Sequence, residues 1–178
     1  MNCPSCGAPM HLKVDADSYA CDYCRSVYLP EKDDNGVRVL DEASGELCPV
    51  CNLALVHAAI GGVRIRYCTH CHGMLVPMQV FESLIDELRS VGNGTVEQPK
   101  AERRDLSRKI GCPNCRARMD AHYYGGPGNV VIDSCETCSL NWLDRGELWH
   151  IVRAPDGCAP DPVFETAFGD DDTTGTAR

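Results

Sequence analysis

The chain has 178 residues, thirteen of them cysteine, with only three Phe and two Trp; its apolar residues come in short bursts, and small folds so poor in core need metals or disulfides to hold them. A formal charge of -9 argues against a non-specific nucleic-acid binder drawn to phosphate by global attraction, and no apolar run approaches the roughly 20 residues needed to cross a bilayer. No charged segment followed by an apolar stretch opens the sequence, so the expected compartment is the reducing cytoplasm, where paired cysteines favour metal over disulfide.

The first unit, 1–40, opens with Cys3-Pro4-Ser5-Cys6 and closes with Cys21-Asp22-Tyr23-Cys24. Between these pairs Met10, Leu12 and Val14 alternate as in a strand before a polar turn at 15–18. A further turn at Asp34-Asn35-Gly36 is expected to pair 27–29 with 37–39. The second unit, 46–92, sets Cys48-Pro49-Val50-Cys51 before Cys68-Thr69-His70-Cys71. Gly61-Gly62 supplies its hairpin turn, after which Val63, Ile65 and Tyr67 alternate with Arg64 and Arg66. Over 80–91, Phe81, Leu84, Ile85, Leu88 and Val91 recur at helical spacing, and Gly92-Asn93-Gly94 ends the predicted helix.

A charged linker, 93–110, follows. The third unit, 111–154, holds Cys112-Pro113-Asn114-Cys115 and Cys135-Glu136-Thr137-Cys138, with a long turn at 125–129 leading into Val130-Val131-Ile132. A short helix is expected over 146–153, with Leu148, Trp149 and Val152 available for packing and Pro155 as its stop. Residues 155–178 carry Asp156, Asp161, Glu165 and Asp170-Asp171-Asp172 against Arg178 alone and read as an acidic, disordered tail.

Twelve cysteines thus form six Cys-x-x-Cys pairs, and the fourth and fifth residues after each closing pair repeat as Tyr28-Leu29, Leu75-Val76 and Trp142-Leu143. Each turn can bring two sulfurs to one side of a metal ion, and two turns complete a tetrahedral shell. The predicted ligand sets are Cys3, Cys6, Cys21 and Cys24; Cys48, Cys51, Cys68 and Cys71; and Cys112, Cys115, Cys135 and Cys138. Zinc is the expected metal, three ions per chain; a single iron also suits four thiolates. With about -2 of local charge at each filled site, the chain is more acidic than its formal count. The expected fold is small, metal-stabilised and mainly β: three tandem zinc ribbons with one or two short α-helices.

His11, His57, His70, His72 and His122 would be fifth groups at four-coordinate sites and are read as surface or supporting residues. Gly7 and Gly73 are read as letting backbone amides approach sulfur. Cys158, between Asp156 and Asp161, is read as a free thiol. Closed four-cysteine sites leave no position for a catalytic water, so no enzymatic activity is expected.

Residues 112–148, with both cysteine pairs and the ending Trp142-Leu143-Asp144-Arg145-Gly146-Glu147-Leu148, closely resemble the transcription factor IIB-type zinc ribbon family. Residues 48–81 look like a diverged copy, in which Leu75, Val76 and Pro77 stand where the third unit has Trp, Leu and Asp. The resemblance implies a rubredoxin-like zinc ribbon fold, bound zinc and a role near nucleic acids or the transcription machinery. Bottom-up, Asp144 is read as capping the following helix and Trp142 as packing on its own hairpin.

Two functions compete. The ribbons and the 80–91 helix would present surfaces to a protein partner within a transcription or other nucleic-acid complex, unless the helix stripe is spent on the second ribbon. Alternatively Lys100, Arg103, Arg104, Arg108, Lys109, Arg116 and Arg118, with Arg64 and Arg66 on another hairpin, would contact phosphate, and Tyr123 and Tyr124 would stack on bases; the acidity disfavours this. A purely structural module serving oligomerisation is a third reading.

Overall fold

A computed structural model describes residues 1–13, 17–91, 106–124 and 130–155, leaving aside the side chains of Asp41 and Glu42. It is mainly β, with three ribbons laid out in two sheets. The first ribbon is a three-stranded antiparallel sheet of β1 (His11–Leu12), β2 (Tyr19–Ala20) and β3 (Val27–Tyr28). The larger sheet contains β4 (Arg38–Leu47), β5 (Ala54–Ile60), β6 (Val63–Tyr67), β7 (Met74–Pro77), β8 (Asp120–Tyr123), β9 (Val131–Cys135) and β10 (Leu140–Leu143), in the order β4-β5-β6-β7-β10-β9-β8. Helix α1 (Met78–Val91) follows β7, and α2 (Glu147–Val152) follows β10.

The three ribbons repeat one register. Tyr19 faces Tyr28, Arg66 faces Leu75, and Asp133 faces Trp142. In each case the first residue stands two before its closing cysteine pair and the second stands four after it. The second and third ribbons then join through these closing strands. β7 and β10 pair antiparallel, with Leu75 opposite Trp142 and Met74 opposite Leu143. Because Leu75 and Trp142 occupy the same place in the repeat, this pairing gives the two ribbons a local two-fold relation.

Period-2 alternation gives the large sheet two apolar faces. On one, Ala58, Ile60, Ile65, Tyr67, Met74, Val76, Ile132 and Leu143 pack against Phe81, Leu84 and Ile85 of α1 and Leu148, Ile151 and Val152 of α2. A 14-residue helix is marginal in isolation, and burying each of those α1 side chains contributes about 1.5–3 kcal/mol. The stripe expected to meet a partner is therefore consumed by the core; only Val91 at its end is exposed. On the opposite face, Leu55, Leu75, Leu140 and Trp142 pack with Cys48, Cys68, Cys112 and Cys135. The first ribbon joins the sheet through a third cluster, where Cys3, Met10, Tyr19 and Cys21 meet Leu40 and Ala59, and the Tyr19 hydroxyl donates to the Leu40 carbonyl.

The hairpin expected between 27–29 and 37–39 does not form. β3 gives its pairing edge to β2, while Arg38 and Val39 pair with Ala59 and Ala58 of β5. The intervening turn does form: Asp33 accepts the Asn35 and Val37 amides, each at 2.9 Å, and a single bridge links Lys32 to Arg38. Val14, the turns at 92–94 and 125–129, most of the linker and the tail beyond Pro155 lie outside the described residues. No described helix is long and apolar enough to cross a membrane.

Candidate metal centres

The six cysteine turns share a backbone design. The residue after each second cysteine is left-handed: Gly7, Arg25, Asn52, His72, Arg116 and Ser139 have φ between 53° and 74°. In five turns the first cysteine's carbonyl accepts the amide four residues on, as Cys3 does from Gly7 at 2.8 Å and Cys112 from Arg116 at 2.9 Å. Its own amide donates to the carbonyl five residues on, as in Cys48 to Leu53 at 2.7 Å. This closure aims amides inward; the Val50 N–H reaches the Cys48 Sγ at 3.4 Å. Five non-glycine residues accept an unfavourable backbone conformation to make these turns.

The turns bring the sulfurs into three groups: Cys3, Cys6, Cys21 and Cys24; Cys48, Cys51, Cys68 and Cys71; and Cys112, Cys115, Cys135 and Cys138. Within each, all sulfurs lie within 4.8 Å of one another. Sulfur pairs across the turns are 3.5 Å apart for Cys3–Cys24 and Cys6–Cys21, 3.5 Å for Cys48–Cys71, 3.3 Å for Cys51–Cys68 and 3.7 Å for Cys115–Cys135. Four thiolates around zinc at about 2.3 Å would stand roughly 3.8 Å apart, so the donor sets fit that ion.

Four thiols this close cannot all ionise without a cation. The Ser26 hydroxyl, against burial, holds Cys3 down at about 6. At Cys6 the Ala8 amide favours the thiolate, but Cys21 and Cys24 outweigh it and push the thiol up to about 12. Burial, reinforced by neighbouring thiols, likewise raises Cys135 to about 12. A divalent metal held by these sulfurs would take the place of the retained protons.

Trp142 ties the second and third centres together. It is wholly buried, and its ring lies on Gly73 of the second ribbon, where a Cβ would come within 2.3 Å of Cζ2. Gly73 is thus required by a side chain of the neighbouring ribbon, beyond any service to sulfur, and Trp142 packs beyond its own hairpin. The Trp142 Nε1 donates to Asp144 at 3.0 Å, and Arg108 holds both oxygens of the same carboxylate. Asp144 therefore does not cap α2. Glu147 reaches back instead, accepting the Asp144 amide at 2.6 Å. Burial foremost, with the Asp144 and Asp133 charges against the Asp144 amide and Arg108, pushes Glu147 up to about 8.

The histidines fall outside the three groups. His72 Nδ1 lies 2.8 Å from the Tyr67 hydroxyl, which donates to Asp33 at 2.7 Å and locks the 33–37 turn onto the second ribbon. His11 lies 3.3 Å from Asp22, and His122 lies 3.8 Å from Asp120. Cys158 lies outside the described residues.

Of the residues suggested for nucleic acid, Lys100, Arg103 and Arg104 lie outside the described residues. Arg108 is engaged by Asp144 and stands 3.9 Å from Asp133, whose side chain is buried. Arg66 pairs with Glu46 at 3.2 Å, and Arg64 donates to the Lys13 carbonyl at 2.7 Å. Tyr124 meets Phe81 edge-on at 5.6 Å, and Tyr123 is a partly buried residue of β8. Lys109, Arg116 and Arg118 are exposed.

Sequence reasoning missed three features: the left-handed turn residues, the Arg108–Asp144–Trp142 unit, and Ser26, whose hydroxyl lies 3.1 Å from the Cys3 sulfur and 3.0 Å from that of Cys24. The only advance signal for the last was a hydroxyl two residues past a closing pair, where the other ribbons have Gly73 and Leu140.

Residues 47–87 and 111–154 match the model of the family described as "Transcription factor zinc-finger", in its TFIIB-type zinc ribbon form. No curated protein and no solved structure matches the chain.

Proposed function

We propose, for a chain carrying two ribbons of the transcription factor zinc-finger family, a non-enzymatic role: three zinc ions hold a platform that docks on a protein partner within a transcription or other nucleic-acid complex. The all-thiolate donor sets suit zinc or a single iron, and the zinc-finger family match favours zinc. Four protein ligands fill a tetrahedral shell and leave no place for a catalytic water. A reducing, cytoplasmic location suits thiolate ligands.

One observation carries the docking reading. Val27 and Leu29 of the first ribbon correspond to Met74 and Val76 of the second, which are buried in the helix-covered core. The first ribbon has no helix after β3, and Val27 and Leu29 are 59% and 50% exposed, with Tyr23 at 80%. An apolar strip covered elsewhere in the molecule is here left for a partner.

Exposed Lys109, Arg116 and Arg118 favour the second reading, direct contact with phosphate. Two measurements separate the readings. Affinity capture should retain proteins that a Val27→Asp/Leu29→Asp variant loses, and titration with single- and double-stranded nucleic acid should give no binding that survives moderate salt. Salt-dependent binding that Arg116→Ala/Arg118→Ala removes, with capture unchanged by the Val27/Leu29 variant, contradicts docking.

A further inference from the structure

The three cysteine groups are unequally protected, and we infer that the first is an oxidant-reactive metal site: peroxide links its thiolates as disulfides and empties it, while the other two groups keep their ions. This rests on the reading of one zinc ion in each group.

Exposure separates the groups first. Two ligands of the first group, Cys6 and Cys24, are exposed, against Cys115 alone in the third and none in the second. Their packing differs too. Cys48, Cys68, Cys112 and Cys135 share one core with Leu75 and Trp142, whereas Cys3 and Cys21 sit in a separate, smaller cluster. The first ribbon's strands are two residues each and no described helix packs in their cluster. Segments with few buried apolar contacts open at low free energy.

Ser26 supplies a third, chemical difference. Its hydroxyl, within 3.1 Å of two sulfurs, can donate to a thiolate that has left the metal or to an oxygen leaving from peroxide. Gly73 and Leu140, its counterparts, carry no hydroxyl; in the third group the Asn114 amide donates to the single sulfur of Cys138 at 3.2 Å.

The chemistry balances with hydrogen peroxide as oxidant. An exposed thiolate, Cys24 or Cys6, attacks one peroxide oxygen; the O–O bond breaks, giving a sulfenic acid and hydroxide. The thiolate 3.5 Å away, Cys3 for Cys24 and Cys21 for Cys6, then attacks that sulfur, forming the S–S bond and expelling a second hydroxide. Two thiolates lose two electrons and peroxide gains them. With two ligands withdrawn, the group no longer holds its ion.

The test uses the zinc-loaded full chain, its metal content measured first, then treated with hydrogen peroxide beside a chromogenic zinc chelator and followed by disulfide mapping. The expected result is a fast phase releasing one of three zinc ions, about tenfold or more faster than the rest, with disulfides confined to Cys3, Cys6, Cys21 and Cys24. Ser26→Ala should keep full metal content and slow that phase several-fold. Release of all zinc in one phase, or a first disulfide involving any of the other nine cysteines, overturns the proposal; an unchanged fast phase in Ser26→Ala overturns the hydroxyl's part in it. Fewer than three zinc ions before peroxide refutes the underlying reading instead.

Discussion

Gly73 and Trp142 share one volume: the space a Cβ would fill on the second ribbon holds the indole of the third. Gly73→Ala should therefore cost about 1–3 kcal/mol through overpacking, and adding Trp142→Phe should recover part of it. Denaturant unfolding at saturating zinc checks this, and equal stability of Gly73→Ala and the unsubstituted chain would remove the contact from the account. Glu147 makes a pH prediction. With its folded value raised to about 8, the native chain holds a proton that the unfolded chain has released from about 4.5 upward, so this group's contribution falls as pH rises between those values. Glu147→Gln should leave stability flatter than the parent's between about pH 6 and about pH 8.5; parallel curves would contradict the assignment. At this scale the three cysteine groups were legible because cysteine spacing reports them directly. Most of the left-handed positions were hidden, since Arg25, Arg116 and Ser139 are residue types that seldom advertise positive φ.

Helix α1 was legible as an element because its apolar residues keep the 3.6-residue period. Its start lies at Met78, ahead of the expected residue 80, and the Met78 amide is held by the Ser139 carbonyl of the neighbouring ribbon at 2.9 Å. Such a tertiary cap leaves no local signature. What covers the stripe was equally non-local: Leu84 is wholly buried, while Val91 is exposed. Leu84→Ala should accordingly cost about 2–5 kcal/mol, and Val91→Ala should stay within about 0.5 kcal/mol of the parent. Comparable losses at both positions would place α1 differently. The missing 27–39 hairpin teaches the same lesson from the other side. Its turn residues were read well, but turn chemistry does not tell a strand which edge it will win, and β5 took Arg38 and Val39.

The whole molecule divides by shared cores. The second and third ribbons form one body through β7 and β10, whereas the first is attached through Leu40 and Ala59. The repeat revealed three units but not this grouping, because Tyr28-Leu29 looks as able to pair as Leu75-Val76 or Trp142-Leu143. Cys48→Ser with Cys51→Ser should loosen β10 along with β7, seen as faster amide hydrogen exchange in Leu140–Leu143, and leave β2 unchanged; loosening of β7 alone would contradict a joint unit. The proposed function requires three four-thiolate zinc centres to hold this acidic chain together. Native mass spectrometry with elemental analysis of the purified chain tests it most directly: three zinc ions per chain, one for each cysteine group, is the predicted result, and fewer than three, or iron in place of zinc, would contradict it.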